Sequence, residues 1–272
     1  MAHAFDLELT DNRVGGSLLE QVRAQLLVEP ERQSLDITLD SGANRVVSKV
    51  AGELEHGWNS VEPWRWTGQL ARLDVLVSDV ERISLQEPAL VQASAEGALL
   101  ETSCLLDASG AVTCVEASWS SESGSSLVAQ LEQLPLELLE KILGLQFQLS
   151  QQVSGEVRLS QSPGSKPSGA ADFKITAGVV KFTDDPDPIM ETGPGALAFT
   201  LSEGRLTSGV LDIPIVGQGV IDVDYSVPDV TRGLAAELAG TLLIDLADLD
   251  PLAALVPRID RASGSLRANL EL

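Results

Sequence analysis

The 272-residue chain carries 40 acidic and 18 basic residues, a formal net charge of −22, and 44% of its residues are hydrophobic. The hydrophobic content excludes a disordered chain. The acidity argues against nucleic acid, which needs a basic stripe, and against an anionic membrane surface. Aromatic residues make up only 4%, so we expect Leu, Val, Ile and Ala to form the core.

Period-two alternation of apolar and polar residues is the dominant pattern, and it begins near the start of the chain. Apolar side chains at every second position lie on one face of a β-strand, and the polar residues between them lie on the other. Such strands are typical of antiparallel sheets with one apolar and one polar face. The clearest alternating positions are Phe5, Leu7 and Leu9, then Leu35, Ile37 and Leu39, then Leu197, Phe199 and Leu201, and last Ile221, Val223 and Tyr225.

The only two cysteines, Cys104 and Cys114, flank a turn sequence at residues 107–110. Folding the strands back about Ser109 places the two cysteines opposite each other on an antiparallel pair. Opposed residues are about 4.5–5.5 Å apart at Cα, within the range of a disulfide. We therefore predict a disulfide and an oxidising compartment, with two reduced thiols as the alternative.

Residues 1–3 lead directly into the first alternating strand, so the sequence shows no signal peptide. No apolar run reaches the roughly 20 residues of a membrane helix. Because the cysteines call for an oxidising compartment, we expect the chain to be a section of a longer protein. Met1 and Ala2 then look like an added start, with the natural chain continuing on the amino-terminal side.

Two segments depart from the alternation and predict short helices at residues 134–143 and 250–256. In the first, apolar residues recur at spacings of three and four. The second begins with Asp250 as an N-cap and Pro251 at the first helical position. Each predicted helix has about two or three turns.

A Gly-led strand recurs along the chain and suggests a repeating module. Residues 153–159 resemble residues 262–268, and an earlier copy lies at residues 50–54. The alternative is that Ser-Gly followed by an apolar residue is a common way to open a strand. We expect one continuous elongated domain of three β modules, which are residues 1–60, 61–160 and 161–272.

Residue types that carry catalysis are scarce, since the only histidines are His3 and His56. They leave almost no material for a Ser-His-Asp triad or a histidine metal site. The acidic run at residues 184–187 lacks the spacing of a calcium loop, and we interpret it as solvated. We therefore predict that the chain is not an enzyme and has no catalytic residue, metal or cofactor.

The apolar strand faces must be covered, and the pattern leaves two ways open. Two sheets can stack as a β-sandwich. Alternatively, one sheet can curl into an elongated trough with an apolar lining. The scarcity of large aromatics and the repeated modules are compatible with a trough, but the strand pattern alone does not choose.

A succession of short motifs lies between about residues 64 and 180. Each motif alone is a weak indication of a family, but their order and spacing together are more specific. They comprise a Trp-x-Gly-x-Leu strand, a strand ending in Pro-Ala, paired cysteines, a tryptophan and a Leu-Pro-Leu segment. The pieces are Trp66-Thr67-Gly68-Gln69-Leu70, Leu85-Gln86-Glu87-Pro88-Ala89, Cys104, Cys114, Trp119 and Leu134-Pro135-Leu136-Glu137-Leu138-Leu139. This succession resembles the TamB family, the inner-membrane-anchored subunits of the translocation and assembly module of Gram-negative bacteria.

The resemblance implies an all-β, curled antiparallel sheet, a β-taco-like trough in the periplasm, with the full-length protein anchored in the inner membrane. AsmA-like bridge proteins of this kind are thought to pass phospholipids between the inner and outer membranes. The candidate lining residues are Phe5, Leu7, Leu9, Leu35, Ile37, Leu39, Val157, Leu159, Phe173, Ile175, Leu197, Phe199 and Leu201.

The resemblance also implies a partner for the full-length protein, the outer-membrane barrel TamA. We expect this chain to lack the membrane anchor and the carboxy-terminal segment that contacts the barrel, so direct docking to TamA stays open. The predicted function is a non-catalytic trough for phospholipid acyl chains that serves outer-membrane assembly. The alternatives are a chaperone-like trough that holds outer-membrane β strands, and a closed sandwich used as a structural or adhesion module.

Overall fold

The computed structural model describes residues 3–14, 17–29, 32–42, 44–55, 63–77, 81–138, 147–182, 190–217, 219–230, 239–247 and 266–271. These residues form 20 strands that belong to one large antiparallel sheet. The predicted all-β antiparallel fold is therefore confirmed. Within the described ranges, α-helical conformation is limited to residues 136–138.

The chain divides into two compact units, residues 1–129 and residues 130–272. The division into three modules stays a prediction. The strands are β1 (His3–Val14), β2 (Ser17–Val28), β3 (Gln33–Ser41), β4 (Asn44–Glu55), β5 (Arg65–Val77), β6 (Glu81–Leu85), β7 (Ala89–Ser94), β8 (Gly97–Leu106), β9 (Val112–Ser120), β10 (Gly124–Pro135), β11 (Phe147–Leu149), β12 (Gln152–Gln161), β13 (Ser168–Ile175), β14 (Gly178–Phe182), β15 (Met190–Thr192), β16 (Gly195–Ser202), β17 (Arg205–Ile215), β18 (Gly219–Val227), β19 (Ala239–Leu246) and β20 (Leu266–Glu271).

In the first unit, β1 to β5 pair consecutively as antiparallel neighbours. One end of β5 pairs with β7 and its other end pairs with β6, so β6 and β7 lie end to end beside it. The break between them falls at residues 86–88, where Pro88 has no N–H to donate to a neighbouring strand. β8 then pairs with β6, β7 and β9.

In the second unit, the antiparallel series runs β12, β13, β16, β17, β18, β19 and β20. The series is interrupted at residues 150–151, 176–177 and 193–194. Beyond these breaks three short strands continue the sheet, with β11 paired to β14 and β14 paired to β15. Side chains replace the missing backbone partners at these breaks: Ser150 Oγ accepts from Val179 N–H at 2.8 Å, and Thr176 Oγ1 accepts from Gln152 N–H at 2.9 Å. The breaks therefore leave these backbone groups satisfied.

Turn chemistry fixes the strand register, as the β16–β17 hairpin shows. Ser202 pairs with Arg205 across the turn, and the two residues between them, Glu203 and Gly204, have φ of 48° and 71°. Positive φ at both central positions is the mark of a type I′ turn, which matches the twist of the flanking strands. This explains why a glycine occupies the second position.

The structure differs from the helix predicted at residues 134–143 at the start of that segment. β10 continues through Pro135, and helical conformation begins only at Leu136. The backbone of Gln133 has a φ of 55°, and its N–H is bonded to Ser154 Oγ at 2.9 Å. A left-handed residue changes the direction of the chain, so β10 turns here, before the helical residues begin at Leu136. Residues 139–146 and the predicted helix at 250–256 lie outside the described residues.

Candidate functional site

One face of the sheet in the first unit is apolar because the strands pair in a register that aligns their apolar positions. Ile37 of β3 is opposite Ala24 of β2, and Ala24 is opposite Leu7 of β1. Opposed residues share a face, and so do residues two apart along a strand. The six candidate lining residues of this unit therefore lie together on its apolar face. They are Phe5, Leu7, Leu9, Leu35, Ile37 and Leu39.

The second unit has an apolar face built in the same way. Phe173 of β13 lies between Gly155 of β12 and Leu197 of β16. The next row joins Val157, Ala171 and Phe199. All seven candidate lining residues of this unit share this face. They are Val157, Leu159, Phe173, Ile175, Leu197, Phe199 and Leu201. The structure thus brings the candidates together within each unit, and their role in binding stays a prediction.

Exposure varies widely along these faces. Phe5, Leu7 and Leu9 are 60%, 53% and 42% exposed, whereas Phe173 and Leu201 are buried. No described side chain is less than 2% exposed. A core between two stacked sheets normally contains fully buried central residues. The apolar faces of this chain are therefore only partly covered.

The apolar face of the first unit also contains residues that we did not predict, because bulges interrupt the alternation. Leu70 pairs with Val50 and Leu73 pairs with Ser48, so Leu70 and Leu73 share a face although they are three residues apart. The register shift next to Lys49 accounts for the extra residue in β5. A bulge adds one residue to a strand and so reverses which positions face inward. The sequence signal that could have revealed this bulge is a pair of apolar residues three positions apart within an alternating strand.

Aromatic rings on these faces lie over glycines of neighbouring strands. A Cβ on Gly52 would lie 2.5 Å from Cζ2 of Trp66, and a Cβ on Gly155 would lie 2.7 Å from Cδ1 of Phe173. Only a residue without Cβ allows so close an approach. Gly52 and Gly155 are the glycines of two predicted repeat copies, so both copies use their glycine to seat a ring from the next strand.

The end of β10 covers part of the apolar face in the second unit. Leu134 and Leu136 pack against a cluster formed by Val153, Ala171 and Phe173. The N–H of Leu136 donates to the backbone carbonyl of Gln151 at 2.9 Å, which fixes this segment against the start of β12. The cluster on that face is therefore buried, whereas Phe5, Leu7 and Leu9 of β1 on the apolar face of the other unit are exposed.

The predicted disulfide is present between Cys104 and Cys114, which are opposed in the β8–β9 hairpin with a Cα–Cα distance of 4.0 Å. The turn is held by Asp107, whose Oδ1 accepts from the N–H groups of Ser109 and Ala111, both at 2.8 Å. A short acidic side chain that bonds to its own turn is an Asx turn. The hairpin pairing inferred from the sequence is therefore confirmed.

The disulfide lies on the polar face of the first unit. Cys114 is two residues from Glu116, whose carboxylate accepts from Thr102 Oγ1 at 3.2 Å on that side. Alternation places Val115, between them, on the apolar face. The bond therefore braces the hairpin without entering the apolar face.

Replacing both cysteines by serine is expected to lower the free energy of unfolding by roughly 2–3 kcal/mol, because the bridge closes a short loop in the unfolded chain. Urea unfolding monitored by circular dichroism measures this. Dithiothreitol is expected to destabilise the wild type by a similar amount and to leave the double variant unchanged. Equal stability of the wild type and the double variant would contradict the prediction.

The residues considered for catalysis or metal binding form no cluster in the part of the chain that is described. No group of three or more His, Cys, Asp or Glu residues is placed there to hold a metal ion. His3 is exposed on β1, and His56 and residues 184–187 lie outside the described ranges. Among the described residues, no helix has the length and apolar character needed to cross a membrane.

Comparison with known proteins gives one match. The chain matches the family described as TamB, N-terminal domain, over residues 1–272. No curated protein matches the chain, and no solved structure does.

Proposed function

The chain belongs to the TamB N-terminal domain family, and on that premise we propose that its apolar faces are sections of a periplasmic trough for phospholipids. In this proposal the full-length protein is anchored in the inner membrane, and the trough carries acyl chains between the inner and outer membranes for outer-membrane assembly. TamA, the outer-membrane barrel, would be a partner of the full-length protein. The chain itself is proposed to be non-catalytic.

The observation that carries the proposal is a broad, in-register apolar face in each unit that is only partly covered. A large contiguous apolar patch on a protein surface marks a contact site for a protein, a membrane or an apolar ligand. Phe5 is 60% exposed and Leu7 is 53% exposed, although both belong to this face. Covering such side chains with acyl chains gains about 0.8 kcal/mol per buried methylene. An aliphatic wall therefore favours acyl chains without selecting one position along them.

The aromatic rings over glycines support the same proposal. Trp66 lies close to Gly52 and Phe173 lies close to Gly155, each on a neighbouring strand. A ring that packs over a glycine can approach the backbone more closely than a ring that packs over a side chain. We propose that this arrangement keeps clearance for an acyl chain above the wall.

The second candidate function is a chaperone-like trough for outer-membrane β strands. It is favoured by β1, whose exposed side chains Phe5, Leu7 and Leu9 recur every second residue. A bound β strand presents side chains with the same spacing, so its apolar side chains would match those of β1. The cargo identity therefore has to be measured directly.

Photocrosslinking residues at Ile37 and Phe199 are expected to capture phospholipid when the chain is produced in the periplasm of a Gram-negative bacterium. Mass spectrometry of the purified adducts identifies the cargo. The matched controls are the neighbouring positions Thr38 and Ala198, which alternation places on the polar face. They are expected to give no adduct above background.

Peptide adducts at Ile37 and Phe199 in place of lipid would favour the chaperone alternative. Equal labelling at Thr38 and Ala198 would overturn both functions, because neither face would then be selective. Native mass spectrometry of the wild-type chain gives an independent readout. A chain that carries no lipid and binds no labelled phospholipid would contradict the lipid proposal.

A further inference from the structure

A basic groove lies on the polar face of the first unit, although the chain as a whole has a net charge of −22. The groove has a volume of about 270 Å³. Register explains its composition, because Leu76 of β5 pairs with Arg45 of β4 on one side and with Arg82 of β6 on the other. The residues that line the groove are Arg45, Val47, Arg72, Asp74, Leu76 and Arg82.

The carboxylates beside this groove are recessed and the guanidinium groups are exposed. The side chain of Asp74 is 14% exposed, whereas those of its partners Arg72 and Arg82 are 55% and 61% exposed. In the ion pair between Arg23 and Glu8, which lies on this face outside the groove, the two side chains are similarly exposed, at 63% and 56%. The groove therefore presents positive charge to solvent even where the charges are paired.

The same arrangement recurs at Arg45. Its side chain is 57% exposed, and that of its partner Asp40 is 17% exposed, with a distance of 2.5 Å from Nε to Oδ1. Among the described groove residues and these ion-pair partners there are three guanidinium groups and two carboxylates, an excess of one positive charge.

Asp74 cannot neutralise both of its partners. Its Oδ2 accepts from Arg72 Nε at 2.5 Å, and its Oδ1 accepts from Arg82 Nη2 at 2.8 Å and from Ser84 Oγ at 2.7 Å. Burial raises the pKa of Asp74, but the hydrogen bonds from Ser84, Arg72 and Arg82 outweigh it and hold the pKa at about 2. Each guanidinium carries five N–H donors, so Arg72 and Arg82 retain donors for a further anion.

We propose that Arg45, Arg72 and Arg82 form a binding site for a phosphate ester. Planar guanidinium groups bind phosphate oxygens through paired hydrogen bonds, which the point charge of lysine does not reproduce. Val47 and Leu76 also line the groove, where they can contact the carbon atoms of such an ester. Glycerol phosphate has this chemistry, either as a free solute or as a phospholipid headgroup.

The site is independent of the proposed apolar trough. Val47 is adjacent to Val46, and Val46 pairs with Leu39 on the apolar face, so Val47 lies on the opposite side of β4. A lipid whose acyl chains lie on the apolar wall cannot place its headgroup here through the sheet. The groove therefore serves a second ligand or a membrane surface.

Calorimetric titration of the purified chain with glycerol 3-phosphate at low ionic strength tests the proposal. We expect Arg45→Gln, Arg72→Gln and Arg82→Gln each to weaken binding about tenfold, in line with the loss of a charged hydrogen bond. Arg82→Lys keeps the charge but not the paired donors, so its affinity is expected to lie between those of the wild type and Arg82→Gln. Arg23→Gln is the control, because Arg23 lies on the same face outside the groove.

Phosphatidylglycerol vesicles, tested beside the soluble ester, distinguish the two sources of the phosphate. Binding of glycerol 3-phosphate in solution supports a soluble ester as ligand. Arginine-dependent binding to phosphatidylglycerol vesicles alone supports a headgroup in a membrane surface. Absence of both, or equal loss in Arg23→Gln, would overturn the proposed site.

Discussion

Phe173→Ala is expected to lower the free energy of unfolding by about 3–5 kcal/mol, the range for a large aromatic residue removed from a packed site. Phe173 is 9% exposed and lies in the main cluster with Val153 and Ala171. Leu134 and Leu136 cover it, so the neighbouring strands cannot easily fill the space left by the ring. Urea unfolding by circular dichroism measures the change, and hydrogen exchange locates it in β12 and β13.

Phe5→Ala is the matched control for this prediction. Phe5 occupies the apolar face of the first unit but is 60% exposed. An exposed side chain leaves little cavity when truncated, so the loss is expected to stay within about 1 kcal/mol. Equal losses for the two variants would show that burial in the cluster does not stabilise the fold.

Gly155→Val is expected to lower the free energy of unfolding by about 3 kcal/mol, at the upper end of the range for overpacked sites. An added Cβ would lie 2.7 Å from both Cα and Cδ1 of Phe173 and closer still to the carbonyl oxygen of Asp172. Two of these contacts are with backbone atoms, so β12 and β13 would have to separate. The same urea experiment measures the loss.

Ala170→Val is the control, because it adds a β-branched side chain at an exposed position of β13. Valine is well suited to a strand, so little change is expected. The double variant Gly155→Val with Phe173→Ala tests the mechanism. We expect it to lose less stability than the sum of the single variants, because one clash disappears with the ring. Full additivity would contradict the contact between them.

The strand chemistry and the hairpin could be predicted from local patterns. Alternation around Ile37 and around Phe199 assigns a strand and two faces without any tertiary contact. The pairing of Cys104 with Cys114 follows from counting residues on either side of a turn, and the structure confirms it. Both predictions depend only on residues near one another in the chain.

The helical segment shows where local patterns are insufficient. Spacing predicts a helix from Leu134, but the strand continues to Pro135. The left-handed backbone of Gln133 and its bond to Ser154 depend on a strand that follows about twenty residues later. That long-range bond holds the backbone of β10 two residues before the strand ends, and no local pattern contains it.

The amino-acid composition does not predict the basic groove, for a related reason. A net charge of −22 argues against anionic partners only if the charges are evenly mixed. Pairing of β4, β5 and β6 brings three arginines together and recesses Asp74 beneath two of them. Neither the count of charges nor their order in the chain reveals which of two paired groups faces solvent.

The sequence by itself determined an all-β chain, the disulfide hairpin and one apolar face per strand, because backbone geometry makes side chains alternate within each strand. Tertiary structure decided which residues meet across strands. Bulges bring Leu70 and Leu73 to one face, and glycines admit the rings of Trp66 and Phe173. These outcomes required the structure because strand register is set by pairing between distant segments, where one inserted residue exchanges the two faces.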